Sequence, residues 1–418
     1  MGSGPGGATA ARELASRGHQ VTVVEAGKGF KPFSRRLGWA HAVRRTGLLG
    51  SERTISRFFP PLRTVRTAEG MVLVWGLAPG GTSTISAGNI VRGENGLAEV
   101  GVDLAREYEE LEADIPHGTV PRDRWRPTSA DMFDAAGEMG LRPAPTPKLV
   151  DMERCVSCGL CELGCATSAK WDARRFLDDI GDPGGVLRTG TPVRRVLLEG
   201  GRVTGVDLDG SGTLRADAVV LAAGGIGTAR ILETSGIPTS PTFWVDVVLT
   251  VGGVREGAEM LAEPPMVWYS RRQHYILSPY FDLLAHFFHP PWRQRPVKDH
   301  VGMMIKLADE ARGSVGADGS VEKLLTKMDS ERLAAAREEA ISVMEGAGVT
   351  GPFVDGVLNG GHLGGTVPLT ASDADTMRPS GLPEGLWVAD LSLAPRSSGL
   401  PTMLVAAALG LRVARVMG

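Results

Sequence analysis

Gly2-Ser3-Gly4-Pro5-Gly6-Gly7, a helix-forming run over residues 8–16, and then Val21-Thr22-Val23-Val24-Glu25 form the stretch that decides the fold. The glycines spell Gly-x-Gly-x-x-Gly ahead of a helix, with Gly18 suited to its C-cap. They permit a tight turn and let a pyrophosphate approach the helix N-terminus. The unbroken β-branched run reads as a buried parallel strand. Glu25 ends that strand, where a carboxylate suits a ribose 2′-hydroxyl, so FAD or NAD is favoured over NADP. A loop of this kind ordinarily follows a strand, and only Met1 precedes it. The expectation is therefore a start upstream of Met1, or a missing first strand.

Working outward, 418 residues predict two domains or one elaborate one. The 45 Lys+Arg against 48 Asp+Glu give net −3, which offers no basic footprint for nucleic acid. Hydrophobic content of 42% with 22% charged residues is the profile of a globular chain with a large core. No apolar run is long enough for a spanning helix, and no secretory signal is seen, so a cytoplasmic location is expected. All four cysteines fall between Cys155 and Cys165. A disulfide-stapled secreted protein would spread them to close long loops.

Past Glu25, residues 28–70 read as basic and irregular. Strands are expected at 193–198, 203–208 and 213–215 as a meander, then at 218–222 before Gly224-Gly225 and a helix over 228–235. Residues 241–305 turn strand-like and aromatic, 320–347 helical, 385–392 extended and 400–417 helical. The expected fold class is α/β: an FAD-binding, Rossmann-like domain with a second, antiparallel-sheet substrate domain. Residues 1–240 form the first, carrying a Cys-rich loop at 151–172. Residues 241–355 form the second, and 356–418 return to the first.

Asp217-Ala218-Val219-Val220-Leu221-Ala222-Ala223-Gly224-Gly225, placed after the meander, resembles the second FAD-contacting segment of two-dinucleotide-binding flavoproteins. Further segments resemble the glucose–methanol–choline (GMC) oxidoreductases. These are Gly80-Gly81-Thr82-Ser83-Thr84-Ile85-Ser86 with Val91-Arg92-Gly93, then Ala222 to Leu232, His362-Leu363-Gly364-Gly365-Thr366, and Gly385 to Ser392 followed by Pro401-Thr402. They run in the family's order along the chain, with residues 241–350 matched only loosely. The resemblance implies FAD held by Gly2, Gly4, Gly7, Glu25, Gly80, Gly81, Thr82, Ser83, Ala223, Gly224, Asp390, Pro401 and Thr402. It implies hydride transfer from a CH–OH carbon, with His362 as base. Imidazole titrates near neutrality and suits that task. Taken alone, His362 would read as a structural histidine, and Asp390 as a helix cap.

Two positions depart from the family. Ser86 stands where Asn is usual. Leu400 stands where a second His or Asn precedes Pro401-Thr402, and leucine makes no side-chain hydrogen bond. Asn89 and Asn359 are candidate helpers, with turn or surface roles as the plainer alternative.

Cys155-x-x-Cys158-x-x-Cys161-x-x-x-Cys165 has iron–sulfur spacing, and a [4Fe–4S] cluster is expected there, with zinc or a metal-free loop as alternatives. GMC relatives such as long-chain alcohol oxidases look similar here, which supports the loop's position rather than its metal. Lys170, a lone lysine after the loop, reads as solvated. Phe287-Phe288-His289-Pro290-Pro291-Trp292 reads as core, or else as the wall of a site for a bulky apolar substrate or a surface for a membrane or partner. His286, His289 and His300 are too irregularly spaced for a metal site. The expectation is a dehydrogenase that passes electrons from FAD through the cluster to a redox partner. Its rivals are a reductase of a C=C or C=O bond fed through the cluster, and an electron-transfer flavoprotein with no substrate of its own.

Overall fold

The computed structural model describes residues 1–33, 38–181 and 184–418. The glycine loop leads into helix Pro5–Ser16, with Pro5 at its first turn, where the missing N–H costs nothing. Strand Thr22–Val24 follows and pairs in parallel with Val186–Arg188. Strand Val219–Leu221 pairs in parallel with Leu386–Val388. The backbone of Met1 and Gly2 bonds to both pairs. Gly2 N donates to Val24 O, the Met1 amino group donates to Val220 O, and Ala222 N donates to Met1 O. The glycine loop is therefore aimed from between the two parallel pairs.

The expected meander is an antiparallel sheet of Val193–Glu199, Arg202–Leu208 and Gly212–Arg215. The sequence 241–305 is indeed largely strand. Val247–Val254 pairs antiparallel with His300–Leu307, which pairs with Tyr275–Pro279. They belong to a nine-stranded sheet. That sheet also takes in Leu62–Arg66 and Val72–Gly76, and Asn359–Gly360 runs parallel to the latter. The described part of residues 28–70 thus holds more regular structure than its composition predicts. It includes helix Gly38–Thr46 and an edge strand, Leu62–Arg66, rich in polar residues, that the irregular reading overlooked. Residues 320–347 are not uniformly helical. Val321–Lys323 is a strand, and helix Lys327–Gly346 starts at a Thr326/Asp329 capping box.

Helix Met403–Met417 is apolar on nearly all sides and buried, which suits its Ala-rich sequence. It packs on helix Pro5–Ser16 so closely that a Cβ on Gly410 would run into the carbonyl of Gly6. Among the described residues no helix is long and apolar enough to cross a membrane.

Candidate active site

The loop at Gly2–Gly6, the 81–89 loop and the starts of helices Gly224–Thr234 and Met403–Met417 border one cavity of about 650 Å³. Of the expected site residues, Gly2, Gly4, Glu25, Gly81, Thr82, Ser83, Ala223, Gly224, His362, Asp390, Pro401 and Thr402 all line it. Gly7 and Gly80 do not. A Cβ on Gly7 would strike Gly2 O, so that glycine serves close helix–loop packing. Gly80 lies at φ +89° and donates its N–H to Ser3 Oγ, so it shapes the loop from behind.

The cavity fits a dinucleotide on physical grounds. The helices Pro5–Ser16 and Met403–Met417 begin there without side-chain caps, so their first N–H groups remain available to an anion. A Cβ at Gly4 would meet nothing nearer than 4.0 Å, so its open side leaves room for a close ligand. Glu25 accepts from Ser3 N at 3.1 Å, Ser3 Oγ at 2.6 Å and Gly27 N at 2.7 Å. Burial raises its pKa despite these bonds. Asp390 caps helix Leu391–Leu393 through Ser392 N and also accepts from Gly224 N at 2.8 Å and Thr228 Oγ1 at 2.6 Å. The capping role and a cavity-lining position are thus combined in one residue.

At the other end of the cavity, His362 Nδ1 lies 3.0 Å from Asp246 Oδ2. Asp246 is fully buried and sits at φ +49°, a conformation Asp tolerates. Burial alone would raise its pKa. Lys306, whose Nζ is 3.2 Å from the same Oδ2, overcomes that together with His362, and the carboxyl falls to about 2. Ser397 Oγ and Gly399 N also donate to Asp246 Oδ1. An ionised Asp246 accepts, so Nδ1 carries the ring proton and Nε2 of the neutral ring holds a lone pair. Burial and then Lys306 lower the His362 pKa. The part of its side chain that remains accessible, 30%, belongs to the cavity lining.

Neither Asp246 nor Lys306 was picked out from the sequence. Each is a single charge in an apolar run, Val245-Asp246-Val247-Val248 and Met304-Ile305-Lys306-Leu307. Val248 pairs directly with Lys306, which puts Asp246 and Lys306 on one face of the sheet. The departure at Leu400 keeps a role through its backbone, because its carbonyl accepts from Lys306 Nζ. Asn359 lines the cavity but donates to Val357 O, while Asn89 accepts from Lys148. The aromatic stretch divides: Phe287 borders the cavity, whereas Trp292 is core beside His300.

The cysteine loop lends the iron–sulfur reading no support and corrects the reading of Lys170. Cys161 is buried, Cys155 and Cys165 are half-buried, and Cys158 is exposed. Among the described residues no three His, Cys, Asp or Glu side chains are grouped to hold a metal ion. Four ligands of one cluster must converge on a centre, and the structure gives the expected [4Fe–4S] cluster no support. Lys170, expected in solvent, is instead 2% exposed and organises the loop. Its Nζ lies within bonding distance of the carbonyls of Ser83 (3.2 Å), Thr84 (3.0 Å), Ser86 (2.8 Å) and Cys161 (2.8 Å). Burial lowers its pKa. Glu162, from the same loop, reaches the cavity and accepts from the Tyr280 hydroxyl at 2.7 Å.

The family model described as GMC oxidoreductase matches residues 40–252, just over half of the chain. An uncharacterized protein of Methanocaldococcus jannaschii is 26% identical over 99% of this chain and 98% of its own length. An uncharacterized GMC-type oxidoreductase of Mycobacterium tuberculosis is 31% identical over 60% of this chain and 40% of its own. Among solved structures, pyridoxine 4-oxidase from Mesorbium loti aligns over 99% of this chain and 97% of that one. Its TM-score is 0.74 at 18% identity, a likeness of fold.

Proposed function

The chain belongs to the GMC oxidoreductase family, and from that premise we propose that it is an FAD-dependent dehydrogenase of CH–OH groups with His362 as its base. The supporting observation is the 3.0 Å His362–Asp246 bond inside the same cavity as the glycine loop. The family implies FAD. The Gly2–Gly6 loop and helix Pro5–Ser16 would hold its pyrophosphate, and Glu25 a ribose. Gly81–Ser83, Ala223–Gly224, Asp390 and Pro401–Thr402 would line the remainder. When bound, FAD supplies the acceptor for the hydride of the substrate carbon.

The protein's share is binding, orientation and one proton. Asp246 fixes the tautomer of His362, so Nε2 takes the hydroxyl proton of the substrate. Asp246 then stabilises the imidazolium that results. Val248, Met266, Met304, Leu283 and Phe287 give the cavity apolar walls, which suits a substrate with a bulky apolar body. In this reading residues 1–240 and 356–418 carry the cofactor side and 241–355 the substrate side. Electrons leave to an external acceptor, with no step through the cysteine loop.

The test is FAD-loaded protein mixed without oxygen with a panel of primary alcohols that includes benzyl alcohol and pyridoxine, read by bleaching of the flavin absorbance. His362→Gln should slow bleaching about 10²–10⁴-fold. An unchanged rate would remove His362 from the reaction, and protein that takes up no flavin would remove the whole reading.

A further inference from the structure

We propose that Lys306 is the second donor to the substrate oxygen, doing from a neighbouring strand what the Leu400 side chain cannot do. This rests on the reading of His362 given above. The Lys306 side chain is 4% exposed and lines the cavity together with His362 and Asp246. Its ammonium carries three N–H donors. One faces Asp246 Oδ2 at 3.2 Å and one the Leu400 carbonyl, which leaves a third without an acceptor among the described residues.

A buried ammonium with a spare donor at a cavity wall has an unmet hydrogen bond, and an oxygen that gains negative charge is its natural complement. The placement is held from both sides. Asp246 and the Leu400 carbonyl fix the Nζ position, and Val248 across the sheet fixes the strand register. The pair has complementary tasks: Nε2 of His362 removes the proton, and Lys306 holds the oxygen it leaves behind. Because Lys306 and Asp246 cancel in charge, His362 stays neutral and able to accept. The charged and titratable groups acting on Lys306 are Asp246, His362 and, beyond them, Asp309. Burial brings the Lys306 pKa down to about 8, against the pull of Asp246.

The experiment uses FAD-loaded protein and 2,2,2-trifluoroethanol, a small acidic alcohol, as the probe, with binding followed by fluorine NMR. Lys306→Met should weaken binding about tenfold or more, the loss expected for a charge-assisted bond. Wild-type affinity should fall as pH rises through about 8, and the variant should lose that dependence. Lys306→Met combined with Leu400→Asn should recover binding, which a purely structural role for Lys306 would not produce. Lys306→Met with Asp246→Asn tests whether loss of fold alone explains the single variant, because removing both charges restores a neutral core. If that double variant folds like wild type and binds the probe as tightly, the proposal is overturned. So it is if Lys306→Met stays within twofold of wild type, or if wild type binds no probe. His362→Gln serves as the separate check on the base. A slow His362→Gln beside an unaffected Lys306→Met rejects Lys306 alone, and an unaffected His362→Gln rejects the underlying reading.

Discussion

Asp246 Oδ2 faces His362 Nδ1 at 3.0 Å, and the same oxygen faces Lys306. One carboxylate therefore holds the His362 ring in its Nδ1–H tautomer and neutralises a buried cation. Asp246→Asn should lose both effects. Oxidation should slow about 10²–10⁴-fold, and stability should drop about 3–5 kcal/mol because Lys306 loses its partner. Stopped-flow bleaching and urea unfolding measure the two. A normal unfolding midpoint would show that the pair is not coupled in this way.

The pH dependence has a definite sign. Burial and Lys306 lower the His362 pKa from its ordinary 6.5. The neutral base is then present above that lowered value, so oxidation should persist below pH 6.5 and fail only on further acidification. The same shift makes the unfolded chain bind more protons below pH 6.5, so stability should fall as pH drops through that window. A rate limb at or above pH 6.5 would contradict the first statement, and carbon-13 labelled histidine NMR would locate the titration directly.

Lys170 joins two loops through four carbonyls. Lys170→Met should cost at least about 1–3 kcal/mol, since buried acceptors lose their donor. It should also weaken flavin retention by loosening the 83–86 loop. Thermal melts with and without added FAD would register both effects. A variant that melts like wild type would mean that the carbonyls find other donors.

The thiols, as placed, predict protein without stoichiometric iron. Cys158, the exposed one, should react first with a thiol reagent. Cys158→Ser should leave flavin content and oxidation rate unchanged. Metal analysis of protein purified without oxygen decides this: one cluster per chain would restore the iron–sulfur reading.

Gly6→Ala should be more damaging than a glycine-to-alanine change in the first turn of a helix usually is. The new Cβ would collide with the carbonyls of Ala389 and Ala406. Loss of soluble protein or of flavin uptake is expected, against near-normal behaviour for Gly18→Ser. Gly18 has open space around it, though its φ of +88° adds some strain.

Much of the glycine-loop side of the cavity was legible because its signals are local. A turn, a helix and a strand within about 25 residues of Gly2 carry it, and the spacing alone places Glu25 in the cavity. His362 was found through its motif. Asp246 and Lys306 were not, because they meet only through strand register, although a lone charge in each apolar strand was visible. Lys170 was misread for a related reason. A single lysine is ordinarily solvated, and nothing near it in sequence announces three acceptors from residues 83–86. The cysteine spacing suited a cluster, but spacing does not fix where side chains converge.

The close crossing of Gly6 and Gly410 bears on the order of events during synthesis. Domains generally begin to fold as the chain emerges from the ribosome. The glycine loop is made long before the helix that lies against it. Residues 401–406 also complete the cavity that residues 1–6 begin. A nascent chain therefore carries its glycine loop without that packing partner until residues 401–406 and the rest of helix Met403–Met417 emerge. Closure of the cavity then waits on helix Met403–Met417, so any ligand held between the two segments is held only after that helix has docked.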